Sequence, residues 1–183
     1  MCIRDSNMVV HKGKTIFVGD TSVHEYPTSK QLSEIAISSA RVVRLFGFNP
    51  KVAFVSHSTF GQPLTSRTKH IKEAVEILKE KKVDFEFDGD MQPDVALNEE
   101  YKSLYPFSKI VGNANILIMP GQHSAAISYK MMKTLGDTKV IGPLLIGLGL
   151  PIEIAPLRSS TSEIINLASI AAYSADVINY KKN

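Results

Sequence analysis

The sequence predicts an α/β fold with a mostly parallel sheet sandwiched by helices. Strand-like and helix-like segments alternate, the strand-like segments are apolar on both faces, and the helix-like segments carry apolar residues three or four positions apart. Parallel strands covered by helices on both sides are typically apolar on both faces. The 183 residues suffice for one such domain or a small two-lobed unit.

The first predicted elements are a strand, a capped helix and a second strand. Thr15–Gly19 is a short apolar run, which is typical of a buried strand. Thr28 and Gln31 have the spacing of a capping box, and Gly47 is typical of the residue that ends a helix, so a helix is expected between them. Lys51–Ser56 is predicted to be the next strand.

The middle of the chain alternates in the same way. A helix is expected over 69–81, because apolar residues share one side, and a short alternating strand over 85–87. Another helix should follow Asp94, whose side chain would cap it, and should be interrupted at Pro106. Asn115–Met119 is again an apolar run that predicts a buried strand.

The last third is predicted to hold two helices separated by a brief strand. A helix is expected over 124–135 and a strand over 152–155. Gly142–Gly149 is interpreted as tight packing, because it lacks the lysine and hydroxyl residue of a P-loop. Ser160 and Glu163 form a second capping box, which predicts a final helix. Its inward residues are expected to be Ile164, Leu167, Ala168, Ala171 and Ala175.

Composition excludes several classes of protein. With 44% hydrophobic and 21% charged residues, the chain is unlike a disordered, collagen-like or coiled-coil protein. A net charge of +3 does not indicate the concentrated basic patch of a nucleic-acid binder, and no apolar run reaches the ~20 residues of a membrane span. Cys2 is the only cysteine, which excludes an internal disulfide and a cysteine-rich zinc site and suits a reducing cytoplasm.

Residues 1–6 are expected to be a non-native leader. The string Met-Cys-Ile-Arg-Asp-Ser has no pattern that joins it to the segments that follow, and it is similar to a translated sequencing adapter. The domain is therefore expected to span residues 7–183, as a fragment of a longer chain.

Two segments that follow predicted strands could bind an anion, and the first is the loop 56–61. Ser56, Ser58 and Thr59 offer hydroxyl groups directly after a strand, and Gly61 allows a ligand to approach the backbone closely. An ordinary serine-containing turn would explain the same residues. His57 could act as a base, but no Ser-His-Asp arrangement supports this role, and a structural histidine explains it as well.

The second segment leads into the last helix. Arg158, Ser159 and Ser160 combine a guanidinium group with the amides of a helix N-terminus, and this combination suits a phosphate. A helix cap beside a solvated arginine is the alternative. Because ligand sites of open α/β sheets lie at strand ends, both segments are expected to face one cleft.

The acidic segment Asp88–Asp94 is not expected to bind a metal. Its three carboxylates could hold a hard cation, but the spacing of a calcium-binding loop is absent. Gly89 and Pro93 explain the segment as a turn, so no metal site is predicted.

Several strings that occur in one order give the chain a family resemblance. They are Asp20-Thr21, Pro27–Ala36, Val55–Gly61, Asp88–Asp94 and Ile141–Gly147, with Ala125–Tyr129 in addition. The chain resembles the C-terminal part of the phosphate acetyl/butyryl transferase family over about residues 13–180. Within that family it looks most like the transferase-like domain of bacterial NADP-dependent malic enzymes. The resemblance implies the phosphate acetyltransferase fold, which is isocitrate/isopropylmalate dehydrogenase-like.

The chain departs from the family at three positions. Transferases of this family carry a Ser-Arg pair before the last helix, associated with the acyl phosphate and the CoA thiol, and an Asp in its first turn, associated with base chemistry. The matching residues here are Pro156, Leu157 and Glu163. Proline has no hydroxyl and leucine cannot bind phosphate, so no catalytic residue is assigned. Arg158 lies one residue away and could partly substitute.

The resemblance therefore implies a regulatory domain without catalysis. It would bind acetyl-CoA, or a related acyl-CoA, as an allosteric effector and help to assemble a cytoplasmic homo-oligomer, with no nucleic-acid or membrane partner. NADP and a divalent metal would act only in a malate-decarboxylating part outside these 183 residues. The alternative is an active phosphate acetyltransferase, which converts acetyl-CoA and phosphate to acetyl phosphate and CoA. The residues expected to bind the acyl-CoA are Ser56, Ser58, Thr59, Gly61, Arg158, Ser159 and Ser160.

Overall fold

The described part of the chain contains one sheet of six strands. The computed structural model describes residues 3–148 and 150–180. The strands are β1 (Arg4–His11), β2 (Lys14–Gly19), β3 (Lys51–Val55), β4 (Glu86–Met91), β5 (Ile116–Ile118) and β6 (Thr138–Ile146).

Most strands of the sheet run in one direction. Their spatial order is β4-β3-β5-β2-β1-β6. β4, β3, β5 and β2 pair in parallel, whereas β1 is antiparallel to both of its neighbours, β2 and β6. β6 therefore points the same way as the four parallel strands, which confirms the predicted mostly parallel α/β sheet.

Helices connect most of these strands, and the first two helices begin at capping boxes. The capping box of Thr28 and Gln31 forms at the start of the first helix, as predicted. The second helix begins earlier than expected, because Thr65 and Thr68 form an unpredicted capping box. The helices are α1 (Ser29–Leu45), α2 (Ser66–Glu80), α3 (Pro93–Leu97), α4 (Glu99–Lys102), α5 (Gln122–Leu135) and α6 (Thr161–Tyr180).

The helices cover both faces of the sheet. Successive strand residues alternate between two core clusters, as the pleat requires. The first cluster joins β2, β3 and β5 to α1, α2 and α6 through Phe17, Phe54, Ile116, Leu32, Leu78 and Leu167. The second joins the same strands to α3 and α5 through Val18, Ala53, Leu117, Val95 and Ala125.

Two strands, β1 and β6, are not predicted from the sequence. Residues 4–6 belong to β1, so leaving them out of the fold is wrong, while their origin as a leader stays a prediction. β1 lacks the apolar pattern of a buried strand, because Asp5 and Asn7 are polar and are buried through hydrogen bonds. β6 contains Gly142 and Pro143, which are uncommon inside strands.

Other local predictions are also wrong. Asp88–Met91 belongs to β4 and is not a turn, and the N-cap residue of α3 is Gln92 instead of Asp94. The predicted strand over 152–155 is reduced to a single bridge that Glu153 makes to β6.

Helix α6 is less buried than its apolar sequence predicts. Leu167 is buried as expected, and Ala171 and Ala175 are half-buried. Ile164 and Ala168, which were expected to face inward, are exposed. The helix therefore presents apolar side chains to its surroundings.

None of the helices within residues 3–148 and 150–180 combines the length and the apolar character needed to cross a membrane.

Candidate functional site

The first candidate segment, the loop 56–61, lies at the carboxyl ends of β3 and β4. The Ser58 hydroxyl donates to the Asp90 carboxylate, and both residues are fully buried. The Thr59 hydroxyl accepts a hydrogen bond from the Gln92 amide at 3.2 Å. These contacts hold the loop against the end of β4, so the hydroxyls of Ser58 and Thr59 are already engaged in the fold.

Ser56 and His57 complete this loop without forming a catalytic arrangement. The Ser56 hydroxyl lies 3.4 Å from the Ser58 hydroxyl and 3.5 Å from Nδ1 of His57, both at the limit of a hydrogen bond. His57 is exposed. No carboxylate in the described part of the chain hydrogen-bonds to its ring, so the arrangement of a catalytic triad is not formed there.

Gly61 is required by the shape of the loop. Its φ of +82° is in the left-handed region, and the Nζ of Lys72 lies 2.5 Å from the position that a Cβ would occupy. The lysine therefore places a positive charge beside the loop, next to a cavity of about 300 Å³ between α2 and β4. An anion at Gly61 stays a prediction, which this charge favours.

The second candidate segment, 156–161, is exposed and lies against β6. Leu157 is fully exposed to solvent. Arg158 is also exposed and makes no hydrogen bond or ion pair to other described residues. The amide of Ser160 donates to the Glu163 carboxylate at 2.7 Å, and the Ser160 hydroxyl accepts from the Glu163 amide at 3.3 Å. The capping box predicted at the start of α6 is therefore confirmed.

Glu163 is held in its ionised form. Its carboxylate lies 2.6 Å from Nζ of Lys133 on α5 and also accepts from the amide and hydroxyl of Ser160. The hydrogen bond from Lys133, followed by those from Ser160, lowers the pKa of Glu163 to about 2. A carboxylate with so low a pKa is a weak base near neutral pH.

A small cavity, here called the α6 pocket, lies between α5, β6 and the start of α6. Its volume is about 70 Å³, and Pro156 and Glu163 are among the residues that line it. Tyr129 lines one side, and burial, together with the carboxylate of Asp5, raises the pKa of its hydroxyl. The Tyr129 hydroxyl therefore stays protonated and can donate a hydrogen bond into the pocket. Arg158 is not among the residues that line it.

The two candidate segments do not share a cavity among the described residues. The loop 56–61 follows β3, whereas Pro156 and Ser159 lie beside β6. Three strands separate β3 from β6, which corresponds to roughly 19 Å across the sheet. The expectation that both segments face one cleft is therefore not met within this chain.

A polar cluster at the end of β2 was not predicted as part of a site. The carboxylates of Asp5 and Asp20 are close together, and burial, reinforced by Asp20, raises the pKa of Asp5 to about 7. Burial alone would raise the pKa of Asp20, but hydrogen bonds from Asp5 and from His24, at 2.5 Å, outweigh it and lower the pKa. The string Asp20-Thr21 is the signal that the sequence offers for this cluster, but its partner Asp5 lies in the predicted leader.

In the acidic segment 88–94, the carboxylate of Asp88 accepts hydrogen bonds from backbone amides. The Asp88 carboxylate accepts from the amides of Gly89 and Lys109 at 3.0 and 2.7 Å. Among residues 3–148 and 150–180, no group of three or more histidine, cysteine or acidic side chains is arranged to hold a metal ion.

Comparison with known proteins assigns the chain to a family. A model described as phosphate acetyl/butaryl transferase matches residues 4–172, nearly the whole sequence. The chain belongs to this family. The sequence resemblance is therefore confirmed, and the six-stranded sheet is that of a transferase-family domain.

The relatives of this transferase-family domain include two kinds of enzyme. An NADP-dependent malic enzyme of Rhizobium meliloti is 48% identical over 164 residues, which are 90% of this chain and 22% of that enzyme. A phosphate acetyltransferase of Clostridium acetobutylicum is 35% identical over 87% of this chain and 49% of that enzyme. The phosphotransacetylase structure from Streptococcus pyogenes has a TM-score of 0.89 at 30% identity, over 96% of this chain and 54% of that one.

The chain is shorter than all three of these relatives. It spans about a fifth of the malic enzyme and about half of the two transferases. The transferase-family domain described here therefore corresponds to only part of each of these proteins.

Proposed function

We propose that the chain is a transferase-like regulatory domain of an NADP-dependent malic enzyme, and that it binds acetyl-CoA without turning it over. The 48% identity to a malic enzyme over 90% of the chain supports the parent protein. Membership of a family named for acetyl and butaryl transfer supports an acyl-CoA as the ligand.

The ionised carboxylate of Glu163 is the observation that supports binding without turnover. This residue matches the position where the resemblance expects a base, yet Lys133 and Ser160 hold it as a carboxylate with a pKa of about 2. The neighbouring positions are Pro156 and Leu157, which offer neither a hydroxyl nor a cation. Loss of one such donor typically slows a reaction by ~10²–10³-fold.

The same region keeps features that suit binding. Arg158 is exposed and free of other partners in the described structure, and it lies just before the N-terminus of the 20-residue helix α6. The amides and dipole of that end attract a phosphate, and a guanidinium group strengthens such binding. The Tyr129 hydroxyl can donate to the thioester carbonyl in the α6 pocket.

An active phosphate acetyltransferase is the second candidate. The observation in its favour is Arg158, whose free guanidinium lies one residue from the position of the family's arginine. If its side chain reaches the acyl phosphate, part of the lost anion stabilisation would be recovered.

Calorimetric titration of the 183-residue chain with acetyl-CoA, together with an assay for acetyl phosphate, separates the two candidates. We expect saturable binding and no turnover in the range typical of enzymes, on the order of 1–10³ s⁻¹. Arg158→Ala should weaken binding roughly tenfold, because a charge-assisted contact is lost, whereas Arg41→Ala, at another exposed arginine, should not. Turnover at enzymatic rates would favour the transferase, and absence of binding would refute the proposal.

The remaining parts of the proposal concern the parent enzyme. We infer a cytoplasmic homo-oligomer in which acetyl-CoA bound to this domain changes malate activity, and in which Arg158→Ala weakens that response. NADP and a divalent metal would bind outside these residues, and the chain itself has no dinucleotide-binding glycine motif. Regulation of this kind needs only a few kcal/mol of differential binding between two conformations.

A further inference from the structure

Three hydrogen bonds join the start of α1 to α2. The Ser29 hydroxyl lies 2.9 Å from the Glu73 carboxylate and 2.8 Å from Nδ1 of His70. Nε2 of His70 lies 2.9 Å from the backbone carbonyl oxygen of Pro27. Pro27 and Ser29 are buried, and His70 is half-buried. These four residues are here called the His70 network.

The number of protons decides which form of His70 satisfies this network. A carbonyl oxygen only accepts, so Nε2 of His70 must carry a proton to bond to Pro27. The Ser29 hydroxyl has one proton, and it donates that proton to the Glu73 carboxylate. Nδ1 of His70 must then also carry a proton and donate to the Ser29 oxygen. All three bonds therefore form together only when the imidazole is doubly protonated and positively charged.

The neutral imidazole cannot satisfy the same contacts. With the proton on Nε2, Nδ1 is an acceptor, and the Ser29 hydroxyl can donate either to Nδ1 or to Glu73 but not to both. The acceptor that receives no proton then faces the lone pairs of the Ser29 oxygen. Because histidine changes its charge between about pH 5 and 8, the network is complete at the acidic end of this range and loses one bond as the pH rises.

The His70 network attaches the loop 20–28, which connects β2 to α1, to α2. The Glu25 carbonyl of this loop accepts from the Gln122 amide, at the start of α5, at 3.2 Å. A Cβ on Gly121 would lie 2.6 Å from the same carbonyl oxygen, so the loop and α5 are in close contact. The loop is therefore attached to α5 through Glu25 and to α2 through Pro27. The second attachment becomes weaker when its donor loses its charge.

Two other histidines titrate near this loop. His24 lies in the loop, with Nδ1 2.5 Å from the Asp20 carboxylate. His123, on α5, stacks on Tyr26 and lies 3.5 Å from the Glu25 carboxylate. A test must therefore separate His70 from both. The lysines next to the network along α1 and α2 are exposed, namely Lys30, Lys69 and Lys72.

We propose that the His70 network is a pH-sensitive attachment of the loop 20–28 to α2, complete when His70 is protonated and weakened when it is neutral. The loop lies at the carboxyl end of β2, and α5 begins just after the carboxyl end of β5. Ligands of open α/β sheets bind at this edge, so the attachment makes the mobility of the edge depend on pH. The inference does not depend on the proposed acyl-CoA binding.

Hydrogen exchange of the full 183-residue chain at pH 6 and pH 8, corrected for the intrinsic pH dependence of exchange, tests the attachment. We expect the protection of amides in residues 22–32 to fall roughly 2–10-fold at the higher pH, which is what one intramolecular hydrogen bond is worth. His70→Gln should remove this change, because the glutamine amide can donate to Pro27 but does not titrate. His11→Gln, at a half-buried histidine of β1, is the control and should keep it.

Glu73→Gln tests the proton count itself. The glutamine amide can donate to the Ser29 oxygen, which leaves the serine proton for the neutral ring of His70. The network is then satisfied at pH 8 as well, so this variant should protect residues 22–32 equally at both pH values. Glu80→Gln, at an exposed glutamate of the same helix, is the control and should keep the pH dependence.

Protection that is the same at pH 6 and pH 8 in the unmodified chain would overturn the inference. A pH dependence that persists unchanged in His70→Gln or in Glu73→Gln would also overturn it, because the response would then belong to His24 or His123. Circular dichroism follows the folding of each variant. Glu73 is exposed, so its variant keeps the test decisive if His70→Gln does not fold.

Discussion

Glu163 accepts hydrogen bonds from three donors, which are Nζ of Lys133 and the amide and hydroxyl of Ser160. These contacts use the carboxylate to begin α6 and to connect it to α5. At the scale of a single residue, the carboxylate of Glu163 helps to hold two helices in place. The charge of Glu163 should therefore matter for stability more than for proton transfer.

The pH dependence of stability provides the test at this scale. The pKa of Glu163 falls from its usual 4.5 to about 2, so its stabilising charge is fully present above about pH 4.5 and is lost as the pH falls toward 2. Glu163→Gln keeps the shape and removes the charge, so it should lower the free energy of unfolding above pH 5. The difference should shrink below pH 4.5. It should be modest, because Lys133 is half exposed and solvent screens the pair.

Denaturant unfolding at a series of pH values measures this difference. Glu80→Gln is the control, since Glu80 is exposed and makes no ion pair with the described residues. A difference between Glu163→Gln and the unmodified chain that stays constant from pH 2 to 7 would show that the Glu163 charge is not the cause.

At the scale of an element, local capping decides where α2 begins. The Thr65 hydroxyl accepts from the Thr68 amide, and the Thr68 hydroxyl accepts in turn from the Thr65 amide. These bonds satisfy two donors that the first turn would otherwise leave unpaired. They also end the loop that contains Gly61 before the helix starts.

Thr65→Ala should lower the free energy of unfolding by about 1 kcal/mol, the usual cost of removing a helix cap. Ser66→Ala is the matched control, because Ser66 is the adjacent exposed residue and its hydroxyl makes no hydrogen bond to the described residues. Thermal and denaturant unfolding of both variants measure the effect. Equal stabilities would mean that the cap contributes nothing to the fold.

Periodicity in the sequence predicts the elements whose burial is apolar. The strand at Lys14–Gly19 and the helix capped by Thr28 are examples, because most of their buried residues are apolar. β1 could not be predicted in this way, since Asp5 and Asn7 are buried by hydrogen bonds that only the folded chain provides. The α6 pocket could not be predicted from the sequence for a related reason. Its residues come from four elements, β1, α5, β6 and α6, and from the segment before α6, and only the folded chain brings them together.

At the scale of the whole molecule, α6 is an apolar helix whose side chains are mostly exposed or half-buried. Ile164, Ile165 and Tyr173 are each about half exposed or more, while Leu167 is buried. The chain spans only about half of the transferases that it matches. Apolar surface of this kind is typical of a region that contacts another lobe or another subunit.

We expect the 183-residue chain to associate through this surface. Ile165→Glu should shift the population toward monomers, because a charge in an apolar contact must be desolvated. Sedimentation velocity over a range of concentrations measures the shift, with Leu104→Glu, at an exposed leucine of the loop after α4, as the control. A chain that remains monomeric at high micromolar concentration would contradict the expectation.

The position of β1 has a consequence for the motions of the molecule. In the described sheet, β6 is joined to the parallel strands only through β1, which pairs with β2 on one side and with β6 on the other. Opening of β1 would therefore release β6 and, with it, one wall of the α6 pocket. In hydrogen-exchange terms, we expect β1 and β6 to open as one cooperative unit. A ligand held in the pocket would slow amide exchange along both strands, although it meets β1 only at Asn7.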